Sequence, residues 1–498
     1  MFNARTKSKR KRKMGRAQPS VRLAAAPCSA VAYGSGVSVN SADENFKLYH
    51  YEQKIKQSFA KIEACLKQIS GLQHVANFAF RAQAVAREQL GFELPENMLV
   101  DEWIKSVDIG QLYVWCVFET FRRMSDEFFT ARPLAGVADK DFQDFINKCG
   151  FHTVDVSPCA DGRLAHVIRY VLRLPYKSVR RKSYAGAMFD IDDSLQKWVE
   201  TEMLRYRESK PNSADAATRY LKVAVYHYSS SAPSTEGCAA HGSDAVKAAE
   251  GAASRLLAFQ QGVENSFCCG ASIDLLLIGI DTDNDSIRIH LPDVDSYIDP
   301  LNYIDYQAVQ GVVANAAHVN IDEVIYDFIA QAQEAVSSEG MLRFVAKLFA
   351  NNISQVKYVR EYYNGQYEDA GHQERFIGMG IGFEEIQLRN LTYFAYLKTV
   401  EEGARDLDVG IKIFSGLNVS RGLPIPVVIR NDYHGQVPGA RERAVDRCHQ
   451  LDAALKHRFN TLYEQGMLHT LMMVRDCNAD NCAETIGCSL SIEQQGAH

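Results

Sequence analysis

Two stretches of this chain show the same order of predicted elements, and that order restricts the fold to the α/β class. In the first stretch, residues 221–228 (LKVAVYHY) and 273–281 (IDLLLIGID) are predicted strands separated by a predicted helix at 243–261. A turn at 283–285 leads into another strand at 287–291. A strand, a helix and a second strand in this order indicate a largely parallel sheet with an antiparallel edge.

The second stretch repeats this order near the end of the chain. Residues 425–429 (IPVVI) and 468–474 (LHTLMMV) are predicted strands that flank a predicted helix at 440–463. A turn rich in Asp and Asn at 477–482 precedes a returning strand at 485–490. We therefore predict a diverged duplication of one α/β unit.

The region before the first unit has helical periodicity. Apolar residues recur there at three- and four-residue steps, as in Tyr51, Ile55, Phe59, Ile62, Leu66 and Ile69. Residues 112–121 are predicted to form a second, denser helix, and Asp139 is a candidate cap for a third helix that runs to Lys148. We predict a helical domain over residues 46–145, with no chemistry of its own.

The charge of the chain is distributed unevenly. Residues 1–22 carry nine Lys and Arg residues and no acid, so that the remainder of a chain with net charge −6 carries −15. Residues 1–45 follow neither a helix nor a strand period, which predicts a disordered basic tail. Such a tail is typical of a nuclear-localisation or nucleic-acid patch, or of an arm that docks on an acidic protein. The acidic body argues against broad nucleic-acid binding.

Composition excludes two further classes of protein. The longest apolar run, around residues 273–280, is far shorter than the roughly 20 residues that a membrane span needs, so we expect no membrane insertion. The twelve cysteines are scattered along the chain and do not form the dense framework of a small secreted domain. Reduced thiols in a cytosol-like compartment fit this pattern.

Three residues of the first unit form a candidate metal site. Cys159, His227 and Cys238 would offer two thiolates and an imidazole, which suit Zn²⁺ and leave a fourth coordination position open. His227 ends a predicted strand, and Cys238 lies in a loop before a predicted helix. The spacing matches no short metal-binding pattern, so buried structural residues are the alternative interpretation.

Asp161 and Arg163 make the catalytic interpretation more specific. A carboxylate two residues from a metal thiolate can reach the open position, and the planar guanidinium of an arginine can hold that carboxylate ionised and oriented. An ordinary solvated turn with a surface ion pair is the alternative. The second unit has Arg430 and Asn431 at the end of its strand and no cysteine in the following loop, which predicts that it lacks a metal.

The Cys-x-Asp-x-Arg motif at 159–163, followed by His227 and Cys238, resembles the zinc site of the β-class carbonic anhydrases. Longer segments resemble the carboxysome shell carbonic anhydrase family, a divergent relative of that class: SPCADGRLAHVIRYVLRLP, KSYAGAMFDIDDS, VAVYHYSSSAPSTEGCAAHGS, ERFIGMGIGF, LRNLTYFAYL, VGIKIFSGLNVSRGLPIPVV and VPGARERA. The resemblance implies a zinc-bearing catalytic domain at 146–383, after the helical domain, and a degenerate copy without metal at 384–498.

The resemblance also implies an activity and the residues that perform it. The family hydrates CO₂ reversibly to bicarbonate with one Zn²⁺ per chain, for which the ligands here would be Cys159, His227 and Cys238. The catalytic dyad would be Asp161 and Arg163. The chain departs from the common β-class pattern in two respects: residue 162 is Gly where Ser is usual, and ten residues separate His227 from Cys238 where two are usual.

Partners and location follow from the same resemblance. It implies a position in the carboxysome lumen, at the inner face of the shell within the bacterial cytoplasm, where the enzyme would supply CO₂ to Rubisco. The basic tail would contact Rubisco, the body would contact shell proteins, and the chain would form a homodimer or a higher even-numbered oligomer. We expect no nucleic-acid or membrane partner. The rival hypothesis is a zinc-stabilised scaffold or recruitment protein with vestigial or conditionally activated catalysis.

Proton transfer from the site to solvent requires a group that titrates near neutral pH. His166, His241 and His372 are candidates by residue type, and His241 is the most notable because it follows Cys238 by three residues. A structural or merely exposed role is the favoured interpretation for each of them. We therefore do not include them among the predicted catalytic residues.

Overall fold

The computed structural model describes residues 42–100, 106–131, 139–175, 179–208, 219–267, 272–293, 297–316, 320–332, 338–397, 399, 403–479 and 483–490. Of the predicted tail, only residues 42–45 belong to this part of the chain, and the prediction for residues 1–41 lies outside it.

Helices and strands alternate along most of the chain. The helices, in chain order, are α1 (Ala42–Ser70), α2 (Phe78–Leu90), α3 (Ile109–Ala131), α4 (Asp139–Lys148), α5 (Ile191–Arg207), α6 (Ala245–Phe267), α7 (Tyr306–Asn315), α8 (Ile321–Ala332), α9 (Glu339–Tyr362), α10 (Ala404–Leu417), α11 (Ala440–Arg458) and α12 (Asn460–Glu464). The strands are β1 (Thr153–Pro158), β2 (Arg180–Arg181), β3 (Arg219–Tyr228), β4 (Ser272–Asp281), β5 (Ile287–His290), β6 (Ile304–Asp305), β7 (Phe376–Ile381), β8 (Thr392–Ala395), β9 (Ile425–Tyr433), β10 (Leu468–Asp476) and β11 (Glu484–Cys488). The chain is therefore a mixed α/β protein that begins with a helical region.

The helical region packs through the stripe that the sequence predicts. The side chains of Tyr51, Ile55, Phe59 and Ile62 are all buried, and they join a core that includes Phe376 of the second sheet. The first helix begins at Ala42, four residues before the predicted start of the helical domain. Burial of one apolar stripe against a sheet is what stabilises such helices, because isolated helices are marginal in water.

The first sheet has the strand order β2-β1-β3-β4-β5-β6. The strands from β2 to β4 are parallel, and β5 and β6 are antiparallel at one edge, as predicted. Residues 220–227 of β3 are all buried. This explains why the sequence of β3 is a nearly continuous apolar run and lacks the alternation of a half-exposed strand.

The second sheet has the strand order β8-β7-β9-β10-β11. Its strands are parallel except for β11, which is antiparallel to β10. Five strands of each sheet therefore share one order and one set of directions, with β7 to β11 in the positions of β1 to β5. The predicted helix at 440–463 is divided into α11 and α12, because Phe459 leaves helical geometry with φ −112° and ψ 39°.

None of the helices in the described ranges combines the length with the apolar character that crossing a membrane requires.

Candidate metal centre

The three predicted metal ligands meet where the parallel strands of the first sheet have their carboxyl ends. Cys159 directly follows β1, and His227 is the penultimate residue of β3, which pairs with β1 in parallel. Parallel neighbours end at the same edge of a sheet, so strand geometry alone brings these two residues together. Cys238 arrives from the loop that precedes α6. The Sγ atoms of Cys159 and Cys238 are 3.9 Å apart, and one donor atom from each of the three residues lies within 4.8 Å of the others.

The donor set fits a zinc ion. His227 is fully buried, and within the described part of the chain neither of its ring nitrogens has a hydrogen-bond partner. A buried polar atom without a partner is costly, and metal coordination relieves that cost. Two thiols and one imidazole are typical zinc ligands, and a set of three leaves one position for water or substrate.

Asp161 and Arg163 form a buried ion pair beside the three donors. The side chains are 3% and 0% exposed, so solvent does not weaken their attraction. Burial would raise the pKa of Asp161, but nearby positive charges, first that of Arg163, outweigh it and hold this pKa well below its usual range. Asp161 Oδ2 is 3.4 Å from Nε2 of His227. An ionised carboxylate therefore borders the candidate metal position.

The loop between His227 and Cys238 holds the guanidinium of Arg163. Nη1 of Arg163 donates to the backbone carbonyl of Glu236 at 2.5 Å, and Nη2 donates to the carbonyl of Gly237 at 3.3 Å. The carbonyl of Ala370 accepts a further bond from Nη1 at 2.9 Å. The ten-residue spacing, which departs from the β-class pattern, thus provides backbone acceptors that fix the arginine of the dyad.

The glycine at position 162 also has a structural reason. Its backbone N–H donates to Oε1 of Glu374 at 3.1 Å, and a Cβ atom at this position would lie 2.5 Å from Cγ of Glu374. A serine, the residue usual in the β class, would displace Glu374. The departure at Gly162 therefore accommodates a carboxylate that comes from a distant part of the chain.

His372 and Glu374 complete the surroundings of Asp161, and neither was among the predicted site residues. Nδ1 of His372 is 3.0 Å from Oε1 of Glu374, and its Nε2 is 3.8 Å from Oδ2 of Asp161. Burial would lower the pKa of His372, but the two carboxylates raise it to about 9. Glu374 is the first residue of the family-like segment ERFIGMGIGF and follows a candidate histidine by two residues, and these were the two signals that the sequence offered.

The other two candidate histidines have different partners. Nε2 of His166 lies 2.9 Å from Asp285, and Nε2 of His241 lies 3.2 Å from the carbonyl oxygen of Gly186. With these partners, His166 and His241 are not part of the group of side chains around Asp161. Of the three histidines considered from the sequence, His372 is the one whose ring faces the dyad.

The corresponding edge of the second sheet carries an ion network. Strand β9 extends to Tyr433, so the predicted strand end at Arg430 and Asn431 is too early. Asp432 is the penultimate residue of β9, and His227 is the penultimate residue of β3. Asp432 accepts from Arg430 at 2.9 Å and from Arg475 at 3.1 and 3.0 Å. The candidate metal clusters found in the described residues do not include this edge.

Comparison with known proteins identifies the same family along the described chain. Models of the carboxysome shell carbonic anhydrase family match its N-terminal domain at residues 38–129, its catalytic domain at 141–372 and its C-terminal domain at 373–490.

Curated relatives named carboxysome shell carbonic anhydrase match most of the chain. The protein of Prochlorococcus marinus (strain MIT 9313) is 52% identical over 91% of this chain and 89% of its own length. The protein of Parasynechococcus marenigrum (strain WH8102) is 51% identical over 91% of this chain and 79% of its own length. The protein of Halothiobacillus neapolitanus (strain ATCC 23641 / c2) is 43% identical over 87% and 86%, respectively. The chain therefore belongs to the carboxysome shell carbonic anhydrase family and is, as predicted, a carbonic anhydrase.

Proposed function

We propose that the chain hydrates CO₂ reversibly to bicarbonate at one Zn²⁺ held by Cys159, His227 and Cys238. The observation that carries this proposal is the buried cluster of these three donors, with a carboxylate clamped by an arginine beside it. A purely structural zinc site would use a fourth protein ligand and would need no such ion pair. The buried ion pair of Asp161 and Arg163 therefore favours a catalytic zinc site over the scaffold hypothesis.

The ion supplies Lewis acidity when bound, which lowers the pKa of water to about 7 and makes hydroxide available at neutral pH. Asp161 accepts a hydrogen bond from the attacking hydroxyl group and orients its lone pair toward CO₂. Arg163 keeps Asp161 ionised and restrains it from moving onto the open coordination position. Backbone carbonyls at 236, 237 and 370 hold Arg163 in turn.

The two sheets support a further proposal about the architecture. They share the order and direction of five strands, and the cysteine and histidine donor set found among the described residues lies in the first. We interpret them as a duplicated unit of the β-carbonic-anhydrase type, with an active copy in a catalytic domain at 146–383 and a degenerate copy at 384–498. Residues 46–145 form the helical domain in this division.

The family places the chain in the carboxysome, and we propose that it acts in the lumen at the inner face of the shell. There it would supply CO₂ to Rubisco, associate with shell proteins and assemble as a homodimer or higher even-numbered oligomer. The nine positive charges of residues 1–22 support an electrostatic contact between the tail and Rubisco. Deletion of residues 1–41, which leaves α1 intact, should abolish a salt-sensitive interaction with purified Rubisco; unchanged affinity contradicts this role.

The central test is zinc content measured together with stopped-flow CO₂ hydration on purified, reduced protein. We expect about one zinc per chain and rapid hydration. Cys159→Ser should lose metal and activity together, whereas Cys448→Ser, a buried cysteine of the second sheet unit, should retain both. One zinc without hydration would support the scaffold hypothesis, and absence of zinc would refute the proposed ligand set.

A further inference from the structure

The buried carboxyl group of Asp406 has no part in the chemistry proposed above. It lies in the first turn of α10, is 6% exposed, and belongs to the second sheet unit. Its Oδ1 accepts a hydrogen bond at 2.5 Å from the backbone N–H of Ala185, which is 221 positions away in the chain. Burial of a charge is costly. The presence of this buried carboxylate, which accepts a hydrogen bond from a distant backbone group, therefore needs an explanation.

Ala185 begins a short turn that contacts the metal centre. The next residue, Gly186, donates its backbone N–H to Sγ of Cys159 at 3.2 Å. Gly186 has a φ of 66°, and a Cβ atom there would lie 2.6 Å from Nε2 of His241. The turn is therefore tightly packed, and small shifts of its backbone would change the hydrogen bond to the sulfur.

Asp406 is itself fixed by the second sheet. Its backbone carbonyl accepts a bond at 2.7 Å from Oη of Tyr393, a fully buried residue of β8. The ring of Tyr393 packs against Gly410 one helical turn further along α10, where a Cβ atom would lie 2.7 Å from it. A continuous set of contacts thus runs from the second sheet through Asp406 to the turn beside Cys159.

We propose that Asp406 is a positioning residue of the metal centre, which fixes the turn at 184–188 so that the N–H of Gly186 donates to the sulfur of Cys159. The inference rests on the proposed function, since it takes Cys159 to be a metal ligand. It assigns the second unit, whose described residues form no cysteine and histidine donor set, a defined role in the site of the first. Hydrogen bonds to ligating atoms orient them and tune their donor strength.

The experiment compares Asp406→Ala with Asp406→Asn, which keeps an oxygen acceptor, and with Asp408→Ala. Asp408 lies on the same helix and pairs with Arg458 at the surface, so that its removal controls for loss of a charge from α10. Each protein is loaded with Zn²⁺ and, separately, with Co²⁺. The readouts are the rate of zinc release to a chelator and the energy of the thiolate-to-cobalt charge-transfer absorption.

We expect Asp406→Ala to release zinc faster than wild type, by up to about 10- to 100-fold, because loss of a hydrogen bond to a ligating atom weakens metal affinity by about that factor. Its charge-transfer band should move to lower energy, because a thiolate that loses an N–H donor is a stronger electron donor. Asp406→Asn and Asp408→Ala should behave like wild type. Ala185→Pro removes the donor of the hydrogen bond between Ala185 and Asp406, whereas Asp406→Ala removes the acceptor. If Asp406→Ala does not fold, Ala185→Pro should reproduce the shift of the charge-transfer band.

An Asp406→Ala protein with lower thermal stability but an unchanged cobalt band would show a merely structural role and overturn the inference. An unchanged band in folded Ala185→Pro would overturn it as well. Failure of the wild-type chain to bind either metal would instead refute the proposed metal centre, and the inference with it.

Discussion

Arg163 donates a hydrogen bond to each carboxylate oxygen of Asp161, from Nε at 2.9 Å and from Nη2 at 2.8 Å. A third bond at 2.9 Å joins the backbone N–H of Arg163 to the same carboxylate. Because the arginine is held by three carbonyl groups, the carboxylate cannot rotate without breaking several bonds. The pair therefore sets the position of the carboxylate of Asp161, which borders the candidate metal ligand His227.

Removal of either member of this pair should lower activity while zinc remains bound. Arg163→Ala frees Asp161 to move, and Asp161→Ala removes the acceptor that orients the nucleophile, so we expect kcat to fall by about 100-fold or more. Arg441→Ala, which removes an exposed ion pair with Glu484, serves as the control and should be neutral. Zinc analysis and stopped-flow hydration check the prediction, and loss of zinc in either variant would contradict the assigned roles.

Gly162→Ser should be harmful in this chain although serine is usual at this position in the β class. The added Cβ would lie 2.5 Å from Cγ of Glu374, so we expect a loss of about 1–3 kcal/mol in the free energy of unfolding and reduced activity. The double variant Gly162→Ser/Glu374→Ala should recover part of the stability. Denaturant unfolding of the single and double variants measures this coupling, and purely additive losses would argue against it.

Asp432→Ala tests the ion network of the second sheet. It removes the shared acceptor of the buried Arg430 and Arg475. Because Arg430 keeps its ion pair with Glu385, we expect a loss of about 1.5–3 kcal/mol in the free energy of unfolding. Zinc content should stay at one per chain because the described residues of this edge form no cluster of candidate metal ligands. Calorimetry and zinc analysis check the two expectations, and a change in zinc stoichiometry would contradict a metal-free second unit.

Asp406→Asn should change how stability depends on pH. Burial raises the pKa of Asp406 to about 6 in the folded chain, whereas an unfolded aspartate titrates near pH 3.9. Between these two pH values the folded chain binds more protons at this carboxyl group than the unfolded chain does. The contribution of Asp406 to the free energy of unfolding therefore falls as pH rises from about 4 to about 6 and stays constant at higher pH. Two pKa units correspond to about 3 kcal/mol.

The asparagine variant carries no buried charge and should lose this dependence. Relative to wild type, its free energy of unfolding should therefore increase by up to about 3 kcal/mol between about pH 4 and about pH 6.5. Urea unfolding of both proteins at several pH values measures the difference between their free energies of unfolding. Titratable groups that both proteins share contribute equally to the two values, so their effect cancels in this difference. Parallel stability curves would show that Asp406 does not titrate in this range.

Local sequence patterns predicted a strand, a helix and two further strands in each sheet unit: β3, α6, β4 and β5 in the first, and β9, α11, β10 and β11 in the second. They did not predict β1, β2, β6, β7 and β8. Apolar periodicity and turn residues are properties of neighbouring positions, so they are visible in the chain before it folds. Residue type suggested Cys159, His227 and Cys238 as zinc ligands with Asp161 and Arg163 beside them, but strand β1, which brings Cys159 next to His227, was not predicted. The resemblance of the longer segments to a known family then favoured this set over the alternative of buried structural residues.

Only the tertiary structure revealed what holds these residues in place. Glu374 reaches Gly162 across 212 positions, Asp406 reaches Ala185 across 221, and Glu236 reaches Arg163 across 73. No periodicity links residues so far apart, because their contact depends on how two sheets and their loops pack together. The same packing decided the strand register that places Asp432, and not Arg430 or Asn431, in the position of His227. Residue types thus predicted the chemistry of the site, whereas long-range packing determined its geometry.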